Sequence, residues 1–494
     1  MIDIPTDHDT SVATLPNGVR VVAIRMAHLD TASVSVFVRT GSAHESPALN
    51  GISHFVEHMV FKGTDERDAR RINLDAERLG ADVNAHTDKD HTAFHMCGLT
   101  LHAPLFVRML AELVQHATFP EVELERERQV LLHEHTEDED DPMATAYRLF
   151  DHACYGLHPL AQPVIGSRKN IERFRRTDLV GWVQRQYTGA NVIVAAAGGI
   201  DPAAIMNEVE AAFGSMPRGA PNGLAPPAWI GGIRSRRITG SSQTHAVLGL
   251  PIPNLVDDDP AGEVAATLFG EGMSSPLMAE LRERRGLVYY AACSADVRDQ
   301  CGEFVVEASF APDKLEDVLR EVAHLLIVHA GSIDPVDLER ARNQIAVRRL
   351  RARGRPTHRL EEAALDLFAL QRVRSSAERV ARVAAVTAEQ VRATFERMLA
   401  SPVSLAIAGR VGRGVTDLSR ESLASLRTSV VLDVSRAEGL PIRTASIIAT
   451  VTQQRSGAFD VGFEVVRPHA LEDAPDPVRI IEEVFPGVSY AAGC

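Results

Sequence analysis

A repeated order of strands and helices constrains the fold of this chain more than any other feature. Between residues 32 and 116 the hydrophobic pattern predicts a strand, two helices, two strands and a long helix. The same order returns between residues 246 and 329. A stretch rich in Pro and Gly, residues 216–228, separates the two copies and has the composition of a linker. The sequence therefore predicts two copies of one α+β unit.

The first copy contains a pattern typical of a zinc site, a His-x-x-Glu-His motif formed by His54, Glu57 and His58. Residues i and i+4 of a helix share a face, so the two histidines can bind one metal ion. Glu57 projects near that face and can activate a bound water. Asn50 or Ser53 is the expected cap of this helix. The alternative is an amphipathic helix with polar residues on its exposed side.

A catalytic zinc ion takes three protein ligands and a water, so the motif needs one more ligand. Residues 121–142 predict a helix rich in Glu and Arg. Glu127 and Glu134 lie two helical turns apart and share a face. One can coordinate the metal while the other orients a ligand. Ion-pair decoration of a solvated helix is the alternative for such a segment.

With these residues the chain resembles peptidase family M16, which includes pitrilysin, insulin-degrading enzyme and mitochondrial processing peptidase. The family places a glutamate ligand 76 residues after the second histidine, the spacing of His58 and Glu134 here. Its supporting glutamate, seven residues earlier, corresponds to Glu127. The flanking residues 51–53 and 59–64 match as well. The resemblance runs from about residue 12 to about 410 and favours the shorter, two-domain bacterial members.

The resemblance implies one zinc-bearing half and one inactive half, each a mostly antiparallel sheet covered by helices, enclosing a chamber. It implies one Zn²⁺ per chain, held by His54, His58 and Glu134. Glu57 would take a proton from the metal-bound water and deliver it to the leaving amine. Glu127 would hydrogen-bond a ligand histidine and select its tautomer.

The resemblance also assigns residues that hold the substrate. Arg282 would bind the substrate backbone and Tyr289, seven residues later, would face the oxyanion, with Tyr290 as the alternative. An Asn-Ala-x-Thr segment on an edge strand would pair with an extended peptide. That segment consists of Asn84, Ala85, His86 and Thr87. His91 and His95 are predicted to lie about 13 Å apart along a strand, too far to share one ion.

The predicted domains follow from the repeat. They are a zinc-bearing domain at residues 1–215, a linker at 216–236, an inactive homologous domain at 237–413 and an extension at 414–494. Three runs of strand-forming residues predict that the extension is a small β-rich appendage. A structural role, dimerisation, docking of a partner and plugging of the chamber are its open alternatives.

Bulk composition limits the partners and the compartment. The 66 acidic residues exceed the 52 basic ones, and the net charge of −14 disfavours nucleic acid or an anionic membrane as partner. No apolar run approaches the ~20 residues that span a bilayer. The N-terminal residues resemble neither a secretory signal nor a transit peptide. Five scattered cysteines favour a reducing environment, so we expect a cytoplasmic protein.

The function expected from these features is that of a zinc metalloendopeptidase acting on extended peptides or small unfolded polypeptides, as a homodimer. An active subunit of a heteromeric, precursor-maturing peptidase is the alternative within the same fold. A non-catalytic peptide-binding subunit is disfavoured because the zinc motif is complete. The acidic run 137–141 is expected to be a solvated loop, with recruitment of basic peptides as its alternative.

Overall fold

The computed structural model describes residues 9–433, 446–453 and 459–466, which form two compact units. The first unit contains the chain up to Ala228, together with Arg298–Gln300 and Val347–Ala381. The second unit contains Trp229–Val297, Cys301–Ala346 and the chain from Arg382 onwards. No helix in the described part of the chain combines the length and the apolar character that crossing a bilayer requires.

The first unit is built on a six-stranded mixed sheet. Its strands are β1 (Thr10–Thr14), β2 (Arg20–Arg25), β3 (Thr31–Val38), β4 (Asp82–Thr87), β5 (Thr92–Leu99) and β6 (Val192–Gly198). Their order across the sheet is β1-β2-β6-β3-β5-β4, which leaves β4 at an edge. Strands β2 and β6 pair in parallel, and the other pairs are antiparallel. The prediction of a mostly antiparallel sheet is therefore confirmed.

Helices from the same stretch of chain cover one face of this sheet. They are α1 (Ile52–Val60), α2 (Ala69–Arg78), α3 (Ala103–His116), α4 (Glu121–Asp140), α5 (Pro142–Tyr155), α6 (Arg168–Arg173), α7 (Arg176–Gln186) and α8 (Pro202–Phe213). Apolar side chains of α1, α3, α7 and α8 share one core with alternate residues of the strands. Phe55 and Phe106 are fully buried there. Burial of this apolar surface is what holds the helices on the sheet.

The other face of the first sheet is covered by a helix that comes from far along the chain. Four helices lie between residues 335 and 399, namely α12 (Pro335–Arg353), α13 (Pro356–Leu370), α14 (Ser376–Ala385) and α15 (Ala388–Leu399). Leu360 and Leu367 of α13 pack with Phe37 and Ile193 of the sheet. The first unit therefore contains residues 347–381 in addition to the segment predicted as its domain. Helix α13 of this stretch buries the second apolar face of the sheet.

The second unit is built on a five-stranded sheet in the order β7-β11-β8-β10-β9. Its strands are β7 (Gly232–Arg237), β8 (Thr244–Ile252), β9 (Val288–Val297), β10 (Gly302–Phe310) and β11 (Ser404–Gly409). Its other helices are α9 (Ala261–Gly270), α10 (Pro276–Met278), α11 (Leu315–Gly331), α16 (Val415–Ser422) and α17 (Ser425–Thr428). The predicted helix at 276–284 continues past α10 as a π-helical turn, Ala279–Arg284.

The two sheets share one topology. Strands β2, β6, β3, β5 and β4 of the first sheet correspond in pairing and direction to β7, β11, β8, β10 and β9 of the second. This confirms the two homologous halves that the repeated pattern predicted. A third, antiparallel sheet is formed by β12 (Ser429–Asp433), β13 (Ser446–Gln453) and β14 (Phe459–Val466). The sheet agrees with a β-rich appendage, although the predicted extension, residues 414–494, begins with the two helices α16 and α17. Residues 434–445, 454–458 and 467–494 lie outside the described part of the chain.

Candidate metal centre

Helix α1, which carries the His-x-x-Glu-His motif, begins on a buried carboxylate rather than on its own cap residue. Glu45 Oε2 accepts hydrogen bonds from the Gly51 amide at 2.7 Å and the Asn50 side chain at 3.0 Å. Glu45 Oε1 accepts from the Ser53 amide at 2.8 Å. The expected capping by Asn50 or Ser53 is therefore wrong, since the acceptor comes from an earlier segment. A negative charge is favourable at this end of the helix dipole.

Burial raises the pKa of Glu45, which is only 2% exposed, and its hydrogen bonds oppose that rise. Gly51 is required where it stands, because its φ of +97° favours glycine. A Cβ at this position would also lie 2.8 Å from the Gly166 Cα. The start of α1 is thus held tightly, and so are the histidines in its first two turns.

Three side chains meet in the arrangement that a tetrahedral metal site needs. Glu134 Oε2 of α4 lies 3.8 Å from His54 Nε2 and 3.7 Å from His58 Nε2 of α1. These distances are too long for hydrogen bonds. They approach the spacing of two ligands that share one zinc ion at about 2.0–2.2 Å each. Within the described residues, Glu134 Oε2 is buried without a hydrogen-bond partner, so the donor set fits a divalent metal.

Glu127 lies behind this group. Its Oε2 is 3.2 Å from His58 Nδ1, and its Oε1 pairs with Lys62 Nζ at 2.7 Å. Both carboxylate oxygens are engaged, so Glu127 is placed to orient a histidine and Glu134 to coordinate. A proton on His58 Nδ1 leaves the His58 Nε2 lone pair free for a metal ion between His54, His58 and Glu134. The coordinating role of Glu134 and the orienting role of Glu127 stay predictions.

The surroundings of His54 and Glu57 shift the pKa values of both side chains. Burial, and then the nearby His58, lower the pKa of His54 to about 3, so its imidazole is neutral near pH 7. Burial is also the main cause that raises the pKa of Glu57. Thr87 Oγ1 donates a hydrogen bond of 2.7 Å to Glu57 Oε2, which opposes that rise and fixes the carboxylate.

Tyr187 is a buried neighbour of Glu57 that sequence reasoning missed. Its side chain is 5% exposed, and burial together with the Glu57 charge raises the pKa of its phenol. It follows α7 and precedes β6, far from the motif in sequence. A lone tyrosine between a helix and a strand carries no local signal of such a position.

The predicted substrate segment lies on the edge strand β4, but its side chains divide between the two faces of the sheet. Thr87 pairs opposite Thr92 and contacts Glu57 of α1. His86 pairs opposite Ala93, which belongs to the core under α13, and Asn84 pairs on that same face. Asn84 Oδ1 accepts from the Ala85 amide at 2.8 Å. Of the three polar side chains, Asn84, His86 and Thr87, only Thr87 is on the α1 face.

Arg282 and Tyr289 are in the second unit. The Arg282 guanidinium lies 5.8 Å from the centre of the Tyr289 ring, and Arg282 belongs to the π-helical turn. Such turns are frequent at functional sites. The Tyr289 side chain is 80% exposed. Tyr290 instead donates to Glu307 Oε1 at 2.5 Å, which raises the pKa of Tyr290 to about 12. Tyr290 is thus engaged elsewhere, in line with the preference for Tyr289.

A cavity of about 620 Å³ opens beside His54 and Glu134. Acidic side chains line it, namely Glu137, Asp138, Asp141 and Asp151. The expectation of a loop at 137–141 is wrong: α4 continues to Asp140, and Asp141 then caps α5 by accepting from the Met143 amide at 2.8 Å. Pro142 occupies the first position of α5, where a proline is well tolerated.

Comparison with known proteins identifies the family of this chain. Residues 20–168 match the family described as Insulinase (Peptidase family M16), and residues 173–345 match the Peptidase M16 inactive domain. An "uncharacterized zinc protease" of Streptomyces coelicolor is 31% identical over 415 residues, covering 80% of this chain and 88% of that protein. A protein of the same description from Rickettsia bellii is 28% identical over 401 residues, covering 81% and 97%.

Solved structures share the fold. A protease from Helicobacter pylori superposes with a TM-score of 0.75 at 20% identity, covering 81% of this chain and 99% of that one. A peptidase M16 inactive domain from Pseudomonas fluorescens has a TM-score of 0.72 at 22% identity, covering 81% and 98%. A chain of Complex III2 from Candida albicans has a TM-score of 0.73 at 16% identity, covering 84% and 99%.

Proposed function

Because this chain belongs to peptidase family M16, whose similar members are described as zinc proteases, we propose that it is a zinc-dependent endopeptidase for extended peptides and small unfolded polypeptides. The observation that carries the proposal is the convergence of His54, His58 and Glu134, with Glu57 beside them. In this proposal the three converging side chains hold one Zn²⁺ per chain. When bound, the ion acts as a Lewis acid and lowers the pKa of a coordinated water.

Glu57 is the proposed general base and acid. It takes a proton from the attacking water and delivers it to the amine nitrogen of the leaving fragment. The hydrogen bond from Thr87 holds its carboxylate in one orientation. The raised pKa of Glu57 brings the carboxyl closer to the working pH, where it can both accept and return a proton.

The edge position of β4 supports an extended substrate. Its outer side has no strand partner within the first sheet, so its backbone amides and carbonyls can pair with a peptide. Pairing through the backbone demands little of the substrate sequence, and the adjoining cavity has room for a substrate side chain. Ala85, His86 and Thr87 would supply this pairing. We further propose that Arg282 binds the substrate backbone and Tyr289 the oxyanion.

The decisive experiment combines metal analysis with cleavage of an unstructured peptide. We expect purified protein to contain about one zinc ion at this site and Glu57→Gln to retain it. Glu57→Gln should lose roughly 10²–10⁴-fold in kcat, the usual contribution of general base catalysis. Glu77→Gln, an exposed position of α2, is the matched control and should keep full activity. Mass spectrometry of the products would distinguish internal from terminal cleavage.

Two results would contradict the proposal. One is cleavage by Glu57→Gln at the wild-type rate. The other is cleavage that survives complete removal of zinc. Products shortened only from an end would refute the endopeptidase mode while leaving the zinc chemistry intact. The cytoplasmic location stays a prediction. The homodimer also stays a prediction, which sedimentation velocity would check.

A further inference from the structure

A second group of two histidines and one glutamate lies in the first unit, on the sheet face opposite α1. It consists of His86 on β4, His91 just before β5, and Glu361 on α13. We propose that these three residues form a second transition-metal site of the zinc type, which ties α13 to the edge of the sheet. The proposal is independent of the peptidase chemistry at His54, His58 and Glu134.

The distances resemble those of the first group. His86 Nε2 and His91 Nε2 are 3.3 Å apart. Glu361 Oε1 lies 3.7 Å from His86 Nε2 and 3.8 Å from His91 Nε2. Ligands about 2.0–2.1 Å from a tetrahedral ion stand about 3.3–3.4 Å apart, so the three atoms need to move by only a few tenths of an ångström. Neither carboxylate distance is a hydrogen bond.

Each imidazole has an acceptor for its other nitrogen. His91 Nδ1 is 2.8 Å from Asp90 Oδ1, which is the carboxylate–histidine pairing common behind metal ligands. His86 Nδ1 is 3.0 Å from His95 Nε2, and His95 Nδ1 is 2.7 Å from Ser35 Oγ. Two sets of neutral tautomers satisfy these contacts. The first has the proton on Nδ1 of all three histidines, and the second has it on Nε2 of His86 and His95, with Ser35 Oγ donating to His95.

In the first set of tautomers the Nε2 lone pairs of His86 and His91 face each other at 3.3 Å, and a cation that binds both selects this set. In the second set His86 Nε2 donates to His91 Nε2, and the Glu361 carboxylate takes no part. A metal ion uses all three groups at once. The side chains of His86 and Glu361 are 38% and 41% exposed, so an ion and a coordinated water can enter from solvent.

This second group is suited to binding a metal ion and not to activating a water for hydrolysis. The carboxylate of Asp90 lies 2.8 Å from His91 Nδ1 and is engaged there, so it is not available as a general base in the way proposed for Glu57. What the ion would do is bridge a helix and a strand that are far apart in sequence. His86 is the neighbour of Thr87, which holds Glu57. A filled second site would therefore steady the strand from which Glu57 is oriented.

The test uses Zn²⁺ alone and a background in which the first site is removed. The variant His54→Ala/His58→Ala, dialysed against micromolar Zn²⁺, should retain about one zinc ion per chain by elemental analysis. Adding Glu361→Gln or His91→Gln to that background should abolish this binding. Glu362→Gln, the adjacent position on α13, is the matched control and should leave it unchanged.

A second readout separates loss of the site from loss of the fold. Zinc at 100 times its Kd should raise the unfolding free energy of the double variant by about 2.7 kcal/mol, seen as an upward shift of Tm. Glu361→Gln should keep the metal-free Tm and lose the shift, because Glu361 is half exposed. A double variant that binds no zinc, or a Tm shift that persists in Glu361→Gln, would overturn the proposal.

Discussion

The two units of this protein share a sheet topology but differ in the helix that follows the same strand. In the first unit α1 follows β3, and its His54, Glu57 and His58 form a polar stripe. In the second unit α9 follows β8, the corresponding strand, and nine of its ten residues are buried. The first helix thus carries the proposed metal ligands, whereas the second is almost wholly buried in its core.

The repeated architecture therefore positions a helix beside the sheet in both units but does not by itself create a functional site. The strands and the covering helix can form with either sequence, since both bury an apolar face. In the proposed function the chemistry depends on a few side chains of the first copy and on Glu134 of α4. Changes at equivalent places in the two units should therefore have very different consequences.

The largest difference is expected for the glutamates of the helices that follow α3 and α11. Glu134→Gln removes a charged ligand, so zinc binding and peptide cleavage should both fall, with cleavage reduced by about 10³-fold or more. Glu339→Gln on α12, an exposed position in the second unit, should change neither. Zinc content and kcat/KM of both variants check this. Equal effects of the two substitutions would contradict the expected difference between the two units.

A difference in stability is expected at the starts of the two helices. Glu45→Ala leaves the buried amides at the start of α1 without their acceptor and should cost about 3 kcal/mol of unfolding free energy. In the second unit Asp259 Oδ1 accepts from the Ala261 amide at 2.9 Å in a more exposed setting. Asp259→Ala should cost about 1 kcal/mol. Chemical denaturation of both variants measures the two losses of unfolding free energy. A smaller loss for Glu45→Ala than for Asp259→Ala would contradict this prediction.

A more modest effect is expected behind the first metal group. Glu127→Gln weakens the hydrogen bond to His58 Nδ1 without removing a ligand. Zinc affinity should fall by about 10- to 100-fold, as is usual for groups behind metal ligands. Competition with a chelator of known affinity measures this. An unchanged affinity would show that Glu127 serves the fold alone, through its pair with Lys62.

The smallest effect concerns a buried histidine of the second unit that has no ligand role. Burial lowers the pKa of His329, which lies 5.5 Å from the Phe269 ring and 5.3 Å from the Phe395 ring. Its folded pKa is below the ordinary value of about 6.5, so stability is complete above pH 6.5 and is lost as pH falls below it. The loss is at most about 1.4 kcal/mol per pH unit.

His329→Gln should therefore lower stability at pH 7.5 but reduce the further loss between pH 7.5 and 5.5. Unfolding at the two pH values measures the change. His133→Gln on α4, where the side chain is 76% exposed, is the control and should leave the pH dependence as it is. An unaltered pH dependence in His329→Gln would mean that other groups cause the loss at low pH.

Much of the candidate centre could be predicted because its signals are local or periodic. The spacing of His54 and His58 follows from one helical turn, and that of Glu127 and Glu134 from two. The strands and helices of residues 32–116 and 246–329 were predicted in their observed order, since hydrophobic period and Gly or Pro breaks determine them. The predicted split of roles between Glu127 and Glu134 came from the family resemblance, and in the structure Glu127 Oε2 lies 3.2 Å from His58 Nδ1.

Other features depend on residues that meet only in the folded chain. Glu45 caps α1 from a preceding segment, and Tyr187 reaches Glu57 from beyond α7. His91 and His95 were judged too far apart to share an ion. The structure instead places His86, from the neighbouring strand, in contact with both. Strand pairing produces such contacts, and no periodicity along a single segment reports them.

Local propensity and the spacing of apolar residues already specify the element types, the repeated topology and the motif on α1. That α13 covers the first sheet, and brings Glu361 to His86 of β4 and to His91 just before β5, depends on the tertiary structure. An exposed apolar sheet face accepts any helix with a complementary apolar stripe. Which helix does so depends on the packing of the whole chain.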